Sequence, residues 1–248
     1  MKKIAVLSDI HGNDRALQAV LKQCKAKGAD TYVNLGDVFY GPLDPAATFG
    51  MVRQVEMVTV SGNEDRLIIE PGNPEQVDNP TLRYVRDQLE PAALDWLRSL
   101  PADTMINEEI YCCHGSPGDD LLYLLEDVSG GLPALRKEKE INSLLAGIET
   151  PVVLCGHSHL PRIVELSTGR LVVNPGSVGL QAYRDDIPVD HIMQTGSPQA
   201  SFAMLEKING RWRAELFKVR YDYESAVKGA EKNIRPDWAY SLETGRAK

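Results

Sequence analysis

The first 60 residues alternate between apolar runs of strand length and amphipathic stretches of helical length. KKIAVLSD, TYVNLGD and MVTV are apolar runs bounded by polar residues, a pattern typical of buried strands. After the first run, apolar residues recur at a helical spacing; they are Ala16, Leu17, Val20, Leu21 and Cys24. Asp44-Pro45 supplies an N-cap and a first-turn proline for a second helix, which we expect to reach about Val55. This alternation predicts an α/β fold.

The second half changes from alternation to a run of strands. Residues 74–101 contain two helical stretches broken near Pro91, and residues 133–147 have a helical pattern, while EEIYCCHG and PVVLCGHSH are typical of strands. RIVEL, GRLVVN, QASFAMLEKI and GRWRAELFKV follow as strands joined by Thr-Gly and Asn-Gly turns. The order predicts two facing sheets with helices outside, in one domain over residues 1–248.

Residues 181–199 are the least regular part of the second half. Paired aspartates, two prolines and a glycine interrupt any apolar periodicity there. We expect a surface loop or a flap over a site, since long loops in compact domains often carry function.

Charge and composition restrict the range of partners. The net charge of −8 argues against an extended nucleic-acid surface and against membrane binding, but not against a small phosphorylated substrate. The amino-terminal apolar run is too short for a secretory signal, and no stretch approaches the roughly 20 apolar residues of a membrane span. The four cysteines lack zinc-binding spacing and are typical of buried thiols in a cytoplasmic protein. The oligomeric state stays open.

Five segments place metal-capable side chains just after an apolar strand. They are LSDIHGN, NLGDVFYG, VSGNED, YCCHGSP and LCGHSH, and four of the five histidines fall in them. Loops at the carboxyl ends of strands converge in α/β sheets, so these side chains are expected to meet. The candidate ligands are Asp9, His11, Asp37, Asn63, His114, His157 and His159.

The residue types suit two adjacent divalent ions. Asp9 and His11 are two residues apart, so in extended chain both point the same way, and the carboxylate of Asp37 can bridge two ions. Imidazole mixed with carboxylate and amide oxygen favours Mn²⁺, Fe²⁺/Fe³⁺, Zn²⁺, Co²⁺ or Ni²⁺ over Mg²⁺ or Ca²⁺. Two such ions about 3.5–4 Å apart can clamp a phosphate and generate hydroxide at neutral pH.

The ordered motifs DxH, GDxxYG, GNxD, HG and GHxH resemble the calcineurin-like metallophosphoesterase superfamily, and GDVFYGP and NPGSVG are similar to its small bacterial and archaeal phosphoesterases. The resemblance implies a four-layer αββα sandwich, in which two facing mixed sheets are flanked by helices, and a dinuclear site. It assigns Asp9, His11, Asp37 and His159 to the first ion. It assigns Asp37, as the bridge, and Asn63, His114 and His157 to the second.

The same resemblance implies catalytic and substrate-binding roles. A hydroxide bridging the ions would attack phosphorus, with Asp37, Asn63, Glu64 and His114 as the catalytic set. Asn13 would contact the substrate phosphate, whereas Arg184 is either a phosphate ligand or a solvated surface charge.

Glu64 stands where many relatives have the histidine of GNH, which is taken to protonate the leaving group. A carboxyl group near its usual pKa of about 4.3, beside two dications, is a poor acid at neutral pH. We therefore expect substrates with good leaving groups: phosphodiesters, phosphoanhydrides such as nucleotides or dinucleoside polyphosphates, and activated monoesters. In the alternative, Glu64 points to solvent and another group delivers the proton. Other functions left open are a protein Ser/Thr phosphatase and a non-catalytic metal-binding scaffold.

Overall fold

The computed structural model describes residues 3–70 and 79–248. Its helices and strands follow along the chain as β1 (Lys3–Leu7), α1 (Asp14–Ala26), β2 (Thr31–Asn34), α2 (Pro45–Val52), β3 (Met57–Thr59), α3 (Asn63–Ile69), α4 (Pro80–Gln88), α5 (Pro91–Ser99), β4 (Asp103–Ile106), β5 (Ile110–Cys113), β6 (Glu126–Asp127), β7 (Ala134–Leu135), α6 (Glu138–Leu144), β8 (Val152–Leu154), β9 (Arg162–Glu165), β10 (Leu171–Asn174), β11 (Ala182–Asp185), β12 (His191–Gln194), β13 (Ala200–Ile208), β14 (Arg211–Val219), α7 (Tyr223–Lys232) and α8 (Pro236–Thr244).

Two mixed sheets of five strands each carry the fold. The first has the order β14-β13-β1-β2-β3, with β1, β2 and β3 parallel and β13 antiparallel to β1. The second has the order β4-β5-β8-β10-β9, with β5, β8 and β10 parallel. Each sheet therefore has parallel central strands whose carboxyl ends lie along one edge, which is where ligand sites form in α/β folds.

The sheets face each other, and helices cover their outer faces. Alternate side chains of β1 point in opposite directions: Ile4 and Val6 join a core with β5, β8 and β10 of the other sheet, whereas Ala5 and Leu7 pack against α1 and its neighbouring helices. On the outer face of the second sheet, Ile141 of α6 packs in a third core. These layers confirm the predicted αββα sandwich.

The predicted elements differ from the structure in a few places. The helix that begins at Asp44-Pro45 ends at Val52, a little before Val55. Within residues 133–147 only Glu138–Leu144 is helical, because residues 134 and 135 pair in a short hairpin. The two helices expected on either side of Pro91 are present as α4 and α5, and residues 74–78 of that prediction lie outside the described residues.

Residues 181–199 are not an irregular loop, and that expectation was wrong. They contain β11 and β12, which pair as an antiparallel hairpin. Ala182, His191 and Met193 are buried within it, so a period-two pattern is present despite the prolines and aspartates that obscured it.

The carboxyl-terminal residues form two helices that the sequence pattern did not predict. Trp238 and Leu242 of α8 pack with Ala226 and Ala230 of α7 and with Leu43, which lies just before α2. This cluster sets α8 beside the carboxyl end of β1. Among the described residues, no helix combines the length and the apolar character that crossing a bilayer requires.

Candidate metal centre

All seven predicted ligands follow the carboxyl ends of strands and meet at one edge of the sandwich. Asp9 and His11 follow β1, Asp37 follows β2, and Asn63 begins α3 after β3. From the second sheet, His114 follows β5, while His157 and His159 follow β8. Ligand atoms from these loops form overlapping clusters whose members lie within 4.8 Å of one another. Two sheets therefore contribute to a single site.

Backbone geometry marks the same residues. The described part of the chain has nine non-glycine residues with positive φ, and five of them are predicted ligands: Asp9, His11, Asp37, His157 and His159, with φ between 54° and 66°. A non-glycine residue in the left-handed region is uncommon, and such strain concentrates at functional sites. The left-handed residues turn the chain sharply after each strand, which directs their side chains into the cluster.

The first cluster contains Asp9, His11 and His159. Nε2 of His11 lies 3.1 Å from Nε2 of His159, and that atom lies 3.4 Å from Oδ1 of Asp9. At most one proton fits between the two facing nitrogens. Their approach is readily explained if both lone pairs point at one cation.

The second cluster contains Asp37, His114 and His157. Nε2 of His114 lies 3.3 Å from Oδ2 of Asp37 and 3.0 Å from Oδ1 of Asn63. Asp37 also belongs to a third group with His11 and Glu64, so its carboxylate reaches both sides of the site.

Hydrogen bonds fix which nitrogen of each histidine faces the site. Nδ1–H of His11 donates to the carbonyl of Tyr40 (2.9 Å), that of His114 to Leu35 (2.6 Å), and that of His159 to Leu180 (2.6 Å). Each bond keeps a proton on Nδ1, since a carbonyl can only accept, and directs Nε2 at the site, where it can bind a metal ion once it carries no proton of its own.

His157 has the opposite orientation. Its Nε2–H donates to the carbonyl of Leu121 at 3.1 Å, which leaves Nδ1 facing the cluster. Burial and the neighbouring His114 lower the pKa of His157 to about 4, so its imidazole is neutral at physiological pH, as a metal ligand must be.

A cation fits the site on the evidence of a buried carboxylate. Asp9 is fully buried, and within the described residues neither of its carboxylate oxygens has a hydrogen-bond partner. An unpaired carboxylate in a protein interior is costly, and coordination to a cation is one of the few arrangements that satisfies it. The donor set of carboxylate, imidazole and amide oxygen matches a transition-metal ion.

The pKa values of two histidines also indicate an excess of negative charge at the site. Burial opposes protonation of His11, but Glu64, Asp37 and Asp9 outweigh it and raise its pKa to about 9. Burial likewise opposes protonation of His114, but Asp37 and Asp9 raise that pKa to about 10. In the absence of metal the site therefore gathers protons, the positive charge that a metal ion would otherwise supply.

Comparison with known proteins agrees with this geometry. The sequence profile of the calcineurin-like phosphoesterase superfamily domain matches residues 1–206. The chain belongs to this superfamily. Metal dependence is a property of the family, and the clusters described above are where this member would hold its ions.

Relatives of the whole chain are distant. An uncharacterised protein of Methanocaldococcus jannaschii is 23% identical over 248 residues, covering 95% of this chain and 94% of the relative. The crystal structure of a metallophosphoesterase from Sphaerobacter thermophilus superposes with a TM-score of 0.75 at 24% identity, covering 98% of this chain and 99% of that one. A candidate diadenosine tetraphosphatase has a TM-score of 0.52 at 16% identity, covering 87% and 93%. These structural likenesses establish the fold.

In this member of the calcineurin-like phosphoesterase superfamily, Asp65 holds the loop that carries Asp37. Its carboxylate accepts N–H bonds from Val38 (2.9 Å) and Gly62 (3.0 Å), and the N–H of Glu64 donates to Oδ1 of Asp37 at 2.9 Å. The start of α3 is thereby fastened to the loop after β2, and the Asp37 carboxylate is oriented before any ion binds.

Glu64 does not point into solvent. Its Oε2 is buried and lies 3.1 Å from Nδ1 of His11, whose N–H is directed at the Tyr40 carbonyl. Burial and the charge of Asp37, opposed by His11, raise the pKa of the Glu64 carboxyl to about 7 in the metal-free protein. The position that many relatives fill with histidine therefore holds a carboxyl group at the site.

The two predicted substrate contacts differ in position. Asn13 is buried and caps α1, and its amide donates to the carbonyl of Gly179 (2.9 Å) and to Tyr221 (3.3 Å), so the structure does not bring it to the cavity wall. Arg184 on β11 does line the cavity, but its side chain is exposed and forms a two-point ion pair with Asp190.

A cavity of about 380 Å³ opens beside the metal clusters, at the small end of the range for ligand pockets. Its walls beyond the clusters include Tyr40, Tyr183, Arg184, Arg235, Trp238 and Lys248. Residues 182–185 of the β11–β12 hairpin form one side of the cavity, and a flap over the site stays a prediction for this segment.

Arg235 and Trp238 were missed as site residues, and Trp238 belongs to the carboxyl-terminal cluster of α7 and α8. Its ring also meets the His11 ring edge-on at 5.6 Å. Gly41 makes room for this ring, because a Cβ on Gly41 would lie 2.9 Å from it. The strand-end pattern that identified the ligands does not extend to residues that reach the site from a distant helix.

Proposed function

We propose that this protein is a dinuclear metal-dependent phosphoesterase that hydrolyses phosphodiester, phosphoanhydride or activated monoester bonds of small substrates. The observation that carries the proposal is the position of Asp37. Its carboxylate belongs to one cluster with His114 and His157 and to another with His11 and Glu64, the arrangement expected of a bridging ligand. The proposal extends to the whole chain as one catalytic domain.

The seven ligands would be distributed between two metal ions. Asp9, His11, Asp37 and His159 would hold one ion, and Asp37, Asn63, His114 and His157 the other. Two bound divalent ions would supply Lewis-acid activation of water and neutralisation of phosphate charge. Mn²⁺, Fe²⁺/Fe³⁺, Zn²⁺, Co²⁺ and Ni²⁺ are the ions that this donor set favours.

The chain itself contributes the orientation of the ligands. Carbonyl acceptors behind His11, His114 and His159 hold each ring in place, so little reorganisation is needed when substrate arrives. The catalytic set in this proposal is Asp37, Asn63, Glu64 and His114.

Glu64 sets the expected leaving group. Its pKa is raised in the metal-free protein, but two nearby dications would favour the carboxylate anion and leave no acid at this position at neutral pH. The enzyme should therefore prefer substrates whose leaving group departs without protonation. This preference argues against a protein Ser/Thr phosphatase, whose alkoxide leaving groups need an acid.

A non-catalytic scaffold is disfavoured because all seven ligand types are retained and converge. The proposal also places the enzyme in the cytoplasm, which is supported by four buried cysteines that are all unpaired.

The test is a Mn²⁺-supplemented screen of aryl monoesters, aryl diesters, nucleotides, dinucleoside polyphosphates and alkyl monophosphates. Cleavage of diesters or anhydrides that is lost in Asp37→Asn, with weak cleavage of alkyl monophosphates, is the expected result. Glu64→His should raise turnover of the alkyl monophosphates. A purified protein that binds Mn²⁺ but cleaves none of these classes would leave the scaffold as the better account.

A further inference from the structure

The wall of the cavity facing the metal clusters is built around Arg235, at the start of α8. Its side chain is 25% exposed and lines the cavity. Among the described residues, no ion pair with a predicted metal ligand accounts for a positive charge at this position. The core formed by α7 and α8 is apolar and does not account for it either. A partly buried guanidinium in such a place needs an explanation.

The backbone holds Arg235 in an enforced position. The preceding residue, Ile234, is 85% exposed and has φ of 57°, a conformation that a β-branched residue rarely adopts. Around it, the N–H of Arg235 donates to the carbonyl of Ala230 (2.9 Å), and Asn233 Nδ2 donates to the carbonyl of Pro42 (2.8 Å). The strained turn directs the Arg235 side chain into the cavity rather than into solvent.

The guanidinium of Arg235 is held in place by hydrogen bonds that do not use all of its N–H donors. Nε and Nη2 donate to the carboxylate of Asp237, at 2.9 Å and 2.6 Å, and Nη1 donates to Oγ1 of Thr81. These bonds use three of its five N–H donors, and the Tyr40 hydroxyl also interacts with the guanidinium. The group also lies over the ring of Trp238, with Cζ 5.5 Å from the centroid. Arg235 is therefore a preorganised cation with donors left for a ligand.

Its surroundings favour an anionic ligand. The charge of Arg235 interacts with Tyr40 and Glu64, and Glu64 in turn contacts His11 of the first cluster. Two dications bound at the clusters would repel the guanidinium of Arg235, which lines the same cavity. An anion placed between the ions and Arg235 removes that repulsion and gains hydrogen bonds at both ends.

Arg184 is a weaker candidate for the same role. Its side chain is 53% exposed, and Asp190 occupies its guanidinium by a two-point ion pair. An arginine that is more than half exposed gains less from a ligand than the partly buried Arg235, because solvent screens its charge.

We propose that Arg235 binds a second phosphate group of the substrate, next to the phosphate at the metal clusters, and so selects phosphoanhydrides among the substrate classes. This inference rests on the proposed function, because it assumes that the clusters hold the scissile phosphate. The planar fork of arginine matches two phosphate oxygens at once. A single-phosphate diester reaches the clusters without engaging Arg235.

The kinetic test compares Arg235→Gln with Arg213→Gln in the Mn²⁺-loaded enzyme. Arg213 is exposed on β14 and away from the cavity, so its variant controls for the loss of one charge. With diadenosine tetraphosphate, Arg235→Gln should lower kcat/KM by about 10- to 100-fold, mainly through KM. With bis(p-nitrophenyl) phosphate, both variants should stay within about 3-fold of the parent protein. Equal losses on both substrates, or no loss on the anhydride, would overturn the proposal.

A binding measurement separates this inference from the proposed activity. Calorimetry with Mn²⁺-loaded protein would compare imidodiphosphate, which resists hydrolysis, with inorganic phosphate. Arg235→Gln should weaken imidodiphosphate about 10- to 100-fold and leave phosphate within about 3-fold, and Arg235→Lys should lie between because it keeps the charge but not the fork.

If Arg235→Gln proves unstable, Asp237→Asn supplies a second variant. It keeps Arg235 but removes the carboxylate that holds it and competes for its donors, so the affinity for imidodiphosphate should change while the affinity for phosphate does not. A parent protein that cleaves nothing but shows this Arg235-dependent binding would refute the proposed function and retain the second-phosphate site. A protein that cleaves diesters but binds imidodiphosphate equally well with and without Arg235 would retain the proposed function and refute the second-phosphate site.

Discussion

Replacing Gly62 with alanine is a sharp test of the bridging position of Asp37. Gly62 precedes α3 with φ of −93°, so alanine meets no conformational barrier there. A Cβ on Gly62 would, however, lie 2.2 Å from Oδ1 of Asp37 and 2.5 Å from its backbone nitrogen. Real Cβ contacts essentially never fall below 3.0 Å, so the carboxylate must retreat by about 1 Å, whereas metal–ligand distances tolerate about 0.2 Å. The substitution adds only one methyl group, yet it moves the shared ligand.

We expect Gly62→Ala to weaken Mn²⁺ binding and to lower kcat/KM on an aryl diester, each by about 100-fold, because a displacement of about 1 Å at a reacting centre has that effect. Calorimetry and steady-state kinetics would measure both, with the melting temperature of the metal-free protein as a check on folding. Gly50→Ala is the matched control. Gly50 lies in α2 with nothing within 4 Å of its added Cβ, so this variant should keep activity and gain about 0.5–1 kcal/mol of stability.

A folded Gly62→Ala protein that binds Mn²⁺ within about 3-fold of the parent would refute the reasoning. It would mean either that the carboxylate of Asp37 is not held against Gly62 in solution or that it is not shared between ions.

Three further predictions concern the ions and the loop that holds them. Mn²⁺ at about 100 times the Kd of a site should stabilise the fold by about 2.7 kcal/mol for each site filled, or about 5–10 °C in melting temperature. His114→Ala and His159→Ala each remove a ligand of one site, so each variant should keep about half of the total shift in melting temperature. His11 and His114 have pKa values raised to about 9 and about 10, so both are protonated at neutral pH without metal and must lose those protons to bind it. Mn²⁺ affinity should therefore rise with pH from about 6 to about 9, with proton release visible as a buffer-dependent heat, and a flat profile would contradict the shifts. Asp65→Ala leaves two buried N–H groups without their acceptor and should cost about 2–4 kcal/mol in urea unfolding, whereas Asp65→Asn, which keeps one acceptor oxygen, should lose less.

The extent of sequence-based prediction follows from how each feature is encoded. Strands such as β1 and β8 are continuous apolar runs, and the ligands stand directly after them, so one local rule located both the sheets and the metal-binding residues. The four-layer order followed from the change between alternation and a strand run. The β11–β12 hairpin was obscured because its strands are four residues long and half exposed, which leaves little apolar signal.

Contacts between residues far apart in the sequence could not be predicted from local sequence patterns. Asn13 follows His11-Gly12 in sequence, which suggested a phosphate contact, but its amide is used to cap α1 and to bind Gly179, 166 residues further along. The direction of Glu64 depends on its approach to His11 across the site. Such positions are decided by which loops meet, and only the folded chain specifies that.

The packing of Trp238 against His11 has a consequence for how relatives should be compared. The superfamily profile ends at residue 206, whereas Arg235 and Trp238 reach the cavity from beyond it. The predicted metal ligands thus lie within the matched residues, whereas part of the cavity wall, including the arginine proposed to bind a second phosphate, lies after them. On the proposal made for Arg235, homologues that share the ligand motifs can differ in substrate, so the residues after 206 should be compared together with the motifs.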